Sequence, residues 1–289
     1  MHTTLIATAQ LQALMDAGTP LRVFDCSSDL MNPAAGADQF LQAHLPGARH
    51  ADLGRDLSAH AGGERASGGR HPLPTREAFA HWLAHAGVDH DMQVVVYDRQ
   101  GANYCGRLWW MLKWCGHEAV AVLDGGLQAW QAAGGAVHSG PAHQPDRPGS
   151  FVLQTARADT ADTRGIASQL GSRGQTLIDA RSAPRFRGEI EPLDPVAGHI
   201  PGALNRPFAD NLGPDGRFKP APQLRAEFEQ LLAGRDPATV VHHCGSGVSA
   251  VPNLLAMELA GLGRGQLYPG SWSEWCNTQG MPCAQSQAG

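Results

Sequence analysis

Short runs of apolar residues alternate along the chain with longer stretches whose apolar positions recur every three or four residues. Val94-Val95-Val96-Tyr97 and Thr239-Val240-Val241 are brief and uninterrupted, the pattern of strands buried on both faces. After the second run, residues 249–262 place Val251, Leu254, Leu255, Glu258 and Leu262 at helical spacing, with Gly261 and Gly263 near the end. Pro252 fits that helix because it falls in the first turn, where no intrahelical N–H is needed. Strands alternating with helices predict an α/β fold, a mainly parallel sheet covered by helices on both faces. Ligands of such sheets bind at the carboxyl ends of strands, which points to Asp98 and Cys244.

The same signals occur twice. Val23-Phe24-Asp25-Cys26 answers Leu177-Ile178-Asp179-Ala180, and His44-Leu45-Pro46-Gly47-Ala48 answers His199-Ile200-Pro201-Gly202-Ala203. The run at 94–98 answers 240–244, and Asp124-Gly125-Gly126-Leu127 through Trp130 answers Pro269-Gly270-Ser271-Trp272 through Trp275. Matches in a common order indicate two tandem domains, each of ordinary size at roughly 100–150 residues. The Pro- and Gly-rich stretch around Gly140–Gly149 reads as a stiff linker. The expected division is 1–140, a linker over 141–152, and 153–289.

Composition narrows the class. In 289 residues, 42% are apolar and 17% charged, while Gly 35 and Pro 20 show no period, so collagen, coiled coil and general disorder are excluded. The 22 basic and 27 acidic residues leave a net charge of −5, with no basic run to attract nucleic acid or an anionic membrane. No segment approaches the ~18 consecutive apolar residues of a membrane span, and the amino-terminal stretch lacks a secretory signal. The six cysteines form no CxxC pair. Free thiols in a cytoplasmic protein are expected, with no zinc site and no other metal.

One cysteine stands apart. Cys244-Gly245-Ser246-Gly247-Val248-Ser249-Ala250 joins a buried strand to a helix. Gly245 and Gly247 can adopt positive φ and turn successive backbone N–H groups inward as an anion nest. The helix that follows adds its positive end. Such a field favours a thiolate nucleophile and any charged sulfur it acquires. A phosphatase would close this loop with an arginine clamp, but Ala250 stands there. A serine hydrolase needs a G-x-S-x-G elbow, and Gly245-Ser246-Gly247 lacks its spacers. Cys105 and Cys115, beside Trp109, Trp110 and Trp114, read as core.

The duplicated pattern and the Cys-Gly-Ser-Gly-Val-Ser loop resemble the two-domain rhodanese-like sulfurtransferases, and within them most closely the 3-mercaptopyruvate sulfurtransferases. The similarity runs from Val23-Phe24-Asp25 to Gly270-Ser271-Trp272-Ser273-Glu274-Trp275. It implies two tandem rhodanese-like domains and a Cys244 persulfide. That sulfur would come from a small-molecule donor, with 3-mercaptopyruvate giving pyruvate, and pass to a thiol such as thioredoxin or to cyanide. No cofactor is implied. Asp98 occupies the nucleophile position of the first copy and, being unable to carry a persulfide, makes that half a catalytically silent wall of the cleft. Two rival readings stand beside this one: a thiosulfate:cyanide sulfurtransferase, and a persulfide carrier module without small-molecule turnover.

The resemblance also assigns residues. Arg185, in Arg185-Phe186-Arg187-Gly188-Glu189, would hold the donor anion, and Gly245, Gly247, Val248 and Ser249 would line the loop. Arg187 is expected to face solvent or to be ion-paired. Ser246, His71 and an aspartate would manage protons; Gly54 falls at the aspartate's position, leaving Asp52 or Asp56, of which Asp52 is the choice. Leu193 stands where relatives carry a second arginine, so donor recognition is either weaker or rests on another cation. No basic residue lies between Cys244 and Ala250, which disfavours dianionic thiosulfate relative to a monocarboxylate. His242 and His243 should point to opposite faces of their strand as packed, hydrogen-bonded residues. Trp272 and Trp275 either line the cleft or pack the core.

Overall fold

A computed structural model describes residues 1–59, 62–142 and 147–285. The chain divides into two compact units. The first comprises Met1–Ala66, Pro74–Ala158 and Asp215–Arg217, and the second comprises Ser67–Leu73, Asp159–Pro214 and Phe218–Gly289.

In the first unit five strands, β1 (Leu5–Ile6), β2 (Leu21–Asp25), β3 (Arg49–His50), β4 (Gln93–Tyr97) and β5 (Val120–Leu123), form a sheet ordered β1-β5-β4-β2-β3. Every pairing is parallel. The continuous Val94-Val95-Val96 run makes β4 a central strand without exposed positions. Side chains alternate across it: Val95 and Tyr97 join Val23, Leu11, Phe40 and Trp130 on one face. On the other, Phe24 meets Trp82 of the helix Arg76–His85 at 5.6 Å between ring centroids.

The second unit repeats the plan. Strands β6 (Asp159–Thr160), β7 (Thr176–Asp179), β8 (Leu204–Asn205), β9 (Val240–His243) and β10 (Gln266–Leu267) are ordered β6-β10-β9-β7-β8, all parallel. Ile178 and Val240 pack against Leu224, Phe228 and Leu232 and against Ala256 and Met257. Those three large side chains recur every four residues along the helix Ala221–Leu232, the apolar stripe of an amphipathic helix. Leu177 and Val241 face Ile166, Tyr268, Trp272 and Trp275 on the opposite side. Helices therefore cover both faces of each sheet.

Two details differ from the sequence pattern. The helix expected over 249–262 is Val251–Leu259. Val248–Ala250 turn before it, with Val251 N–H bonded to Val248 O and Asn253 N–H to Ala250 O. The segment after Gly140 also behaves differently. Of the linker expected over 141–152, residues 143–146 lie outside the described residues. The chain beyond them adheres to the first unit: Gly149 N–H donates to Ala84 O, Phe151 N–H to Val88 O and Gln154 N–H to Cys115 O. Among the described residues no helix is long and apolar enough to cross a membrane.

Candidate active site

The register of the two sheets fixes the comparison between the loops. Asp25 pairs with Tyr97 at the end of β4, and Asp179 pairs with His243 at the end of β9. Asp98 and Cys244 are thus the first residues beyond equivalent strand ends.

In the first unit the Asp98 carboxylate fills its own loop. Oδ1 accepts the N–H groups of Gln100 and Ala102 at 2.9 and 3.0 Å. Oδ2 accepts those of Tyr104 and Cys105 at 2.8 and 2.9 Å. Four main-chain donors converging on one carboxylate show that this loop geometry is built for an anion.

In the second unit the equivalent position carries sulfur, and the donors are left over. The N–H groups of Ser246, Val248, Ser249 and Ala250 donate to no acceptor among the described residues. Gly247 holds the loop shape at φ +72°, where a Cβ would lie 2.3 Å from Pro269 O, so only glycine fits. Cys244 itself is 2% exposed. Its N–H donates to Ser271 Oγ at 3.1 Å, and its carbonyl accepts from Trp272 N–H at 3.0 Å.

The structure brings together most of the expected residues. His71 Nδ1 lies 2.8 Å from Ser246 Oγ, the segment Ser67–Leu73 being part of the second unit. Arg185 faces Gly245: a Cβ there would be 3.6 Å from each of its terminal nitrogens. Gly245, Gly247 and Val248 are buried and Ser249 half-buried. Asp52 belongs to the first unit, where its Oδ1 accepts the N–H groups of Gly54 and Arg55 at 3.0 and 2.7 Å and closes a turn. A catalytic assignment for Asp52 rests on resemblance alone.

The sequence reading overlooked Arg70 and Ser271. Arg70 Nη2 lies 3.2 Å from the Gly245 Cβ position, closer than Arg185. In the sequence Ser271 is simply one residue of Gly270-Ser271-Trp272-Ser273-Glu274-Trp275. The available signal was its alignment with Gly126, since both residues adopt positive φ.

A chain of ion pairs underlies the loop. Arg181 binds Asp179 at 2.7 Å and Glu191 at 3.2 Å, Arg185 binds Glu191 at 2.6 Å, and Arg70 binds Asp194 at 2.6 Å. Burial pushes the Asp179 carboxyl up, but His243 and Arg181 outweigh it and hold it below the usual carboxylate range. Burial, followed by His243 and Arg206, pushes His242 down to about 3. His243 is lowered as well, burial again being the largest cause.

The two histidines do point to opposite faces. His242 Nε2 meets Met257 Sδ at 3.1 Å, and His243 Nδ1 lies 3.8 Å from Asp179 Oδ2. The expectation of hydrogen-bonded rings needs correcting at His243, since neither of its nitrogens has a hydrogen-bond partner. Its polar neighbour Asp179 Oδ2, at 3.8 Å, lies beyond hydrogen-bond reach. Trp272 and Trp275 are core residues, fully buried and donating to the Val196 and Pro282 carbonyls. Cys105 and Cys115 are buried too, burial pushing Cys115 up to about 12. Arg187 is ion-paired with Glu189 at 2.7 Å.

The family model for the rhodanese-like domain matches the chain twice, over residues 7–133 and 164–278. The chain belongs to the rhodanese family. A rhodanese-family relative named probable 3-mercaptopyruvate sulfurtransferase, from Pseudomonas aeruginosa, is 46% identical over 285 residues, covering 98% of this chain and 99% of that one. The thiosulfate sulfurtransferase of Bos taurus is 32% identical over 283 residues, covering 95% and 92%. Among solved structures, the 3-mercaptopyruvate sulfurtransferase from Leishmania major superposes with a TM-score of 0.79 at 32% identity, covering 91% of this chain and 72% of that one.

Proposed function

We propose that this rhodanese-family enzyme moves sulfur from 3-mercaptopyruvate through a Cys244 persulfide to a thiol acceptor, thioredoxin being the expected kind, or to cyanide, and releases pyruvate. The observation that carries this reading is the contrast between the two loops. The fold that cradles a carboxylate at Asp98 offers the same kind of cradle, without a protein acceptor, around the only side chain of the pair that can be sulfurated.

The chemistry balances as two displacements. The Cys244 thiolate attacks the donor sulfur, the carbon–sulfur bond breaks, and its electron pair leaves as the enolate of pyruvate. That carbon takes up one proton, and Ser246 Oγ, hydrogen-bonded to His71 Nδ1, is the group placed beside the nucleophile to relay it. The acceptor thiolate or cyanide then attacks the outer sulfur of the persulfide and returns Cys244 as thiolate. The loop N–H groups face negative charge on sulfur at each stage. The cytoplasm, where acceptor thiols are kept reduced, suits this cycle.

Charge favours mercaptopyruvate over thiosulfate. The ion-pair chain sets Arg70, Arg181 and Arg185 against Asp179, Glu191 and Asp194, so it offers no surplus positive charge to a dianion. Steady-state kinetics with cyanide as acceptor tests this. The expected result is a higher kcat/KM for 3-mercaptopyruvate than for thiosulfate, with Cys244→Ser abolishing both. A higher value for thiosulfate overturns the donor assignment. Loading from a protein persulfide alone would make the chain a carrier.

A further inference from the structure

The helix Arg76–His85 of the first unit turns Phe79 and Leu83 into the core. Glu77, His81 and His85 recur every four residues on the opposite, exposed face, where side chains four apart stand about 5–6 Å from one another at Cβ. All three line one groove of about 440 Å³, whose other wall is Phe151, Val152 and Leu153. That wall is fixed in place by Gly149 N–H donating to Ala84 O at 2.7 Å and Phe151 N–H to Val88 O at 3.1 Å. No arginine or lysine lines the groove. The histidines in it are prepared as ligands. His85 Nδ1 lies 2.8 Å from His81 O; a carbonyl only accepts, so Nδ1 carries the proton and the neutral ring keeps its lone pair on Nε2. A metal-ligating histidine is held in the same way, its other nitrogen donating to a backbone carbonyl. Among the described residues the His81 ring, His85 Nε2 and the Glu77 carboxylate have no hydrogen-bond or ion-pair partner.

We propose that His81 and His85 form a binding site for a borderline divalent cation, zinc or copper(II), with the Glu77 carboxylate one turn earlier adding negative charge to the same face. Two histidines at i and i+4 on one face of a helix are a chelating pair. Imidazole suits these ions, whereas magnesium and calcium prefer oxygen ligands. Among the described residues no group of three or more His, Cys, Asp or Glu is arranged to hold a metal, so the pair supplies two ligands and water completes the coordination. Cysteine spacing predicts no metal in this chain, and a histidine pair on a helix falls outside that rule. The site stands apart from the sulfurtransferase reading, since none of its residues belongs to the cysteine loop.

Calorimetric titration of the full chain with zinc chloride tests the site. All proteins carry Cys283→Ser, because that thiol is exposed and thiolates also bind zinc. One equivalent should bind to the parent. His81→Ala and His85→Ala should each weaken binding about ten-fold or more, since removing even an outer partner of a metal ligand costs that much. His90→Ala, a surface histidine outside the groove, should leave it unchanged. Copper(II) should bind more tightly than zinc, and magnesium should not displace either ion. Thermal unfolding provides a second readout: zinc should raise Tm of the parent by mass action and not that of either groove variant. Both groove histidines are exposed, so without metal the variants should unfold, and transfer sulfur, as the parent does. No binding by the parent, unchanged affinity in either groove variant, or displacement by magnesium overturns the proposal.

Discussion

Ser271 shows how much a single residue contributes beneath Cys244. It holds a left-handed backbone, φ +54°, a conformation that costs a side-chain-bearing residue on the order of 1–3 kcal/mol. The first copy has Gly126 there, at φ +58°. The serine hydroxyl gives the strain a use, accepting the Cys244 N–H at 3.1 Å and donating to Tyr268 O at 2.8 Å. Ser271 is thus a positioning residue for Cys244. Ser271→Ala keeps the strain and strands a buried N–H, so unfolding free energy should fall by about 1–2 kcal/mol, with kcat lowered and KM unchanged. Ser271→Gly should recover stability but not kcat; thermal unfolding and kinetics of the two variants check this, and equal recovery of both would make the role purely structural. Cys244 and Ser246 were proposed from a local loop motif, and His71 and Arg185 from the family resemblance. Arg70 and Ser271 carry no such mark: Arg70 meets Gly245 from a distant part of the chain, and Ser271 hides as an ordinary serine until its φ is known.

At the scale of elements, the central strands and the amphipathic helices follow from periodicity alone. Boundaries failed where polarity misleads. The run ending at Val241 extends to His243 because a parallel strand covered on both faces still pairs through its main chain, and its histidines remain neutral there. The helix after the loop starts late for a related reason. Val248–Ala250 form a turn whose carbonyls accept from Val251 and Asn253, a local path that helical spacing cannot reveal. The Asp98 loop is the clearest demonstration. Its sequence shares little with the Cys244 loop beyond following an apolar strand, yet four N–H groups close on its carboxylate. The backbone path is a property of the element, and the two copies differ in its occupant, a carboxylate at Asp98 and a thiol at Cys244.

The tandem organisation was readable from paired motifs, and the two sheets share one strand order. The assignment of Ser67–Leu73 to the second unit was not readable, since contacts such as Arg70 N–H to Ser273 Oγ, 203 residues apart in sequence, leave no local trace. The whole molecule should also be sensitive to acid. His242 is held at about 3 instead of 6.5, and Glu227 at about 2 instead of 4.5; for Glu227, burial opposes a shift set by its bonds to Arg206, Lys219 and Gln223. His243 and Asp179 are lowered as well. In each case the unfolded chain binds more protons than the folded one, so stability is full above the unfolded values and declines as pH falls. Loss should begin near 6.5 with the histidines, each contributing at most about 1.4 kcal/mol per pH unit. Urea unfolding from pH 7 to pH 4 should show a shallower decline for His242→Gln than for wild type, and identical slopes would refute the assignment.

Intact-protein mass spectrometry after a single exposure to 3-mercaptopyruvate, without acceptor, bears most directly on the chemistry at position 244. The wild-type chain should gain the mass of one sulfur atom, mapped to Cys244 and removed by cyanide. Cys105→Ser should gain it equally and Cys244→Ser not at all. Absence of the added sulfur from wild type, or its retention in Cys244→Ser, would contradict the account.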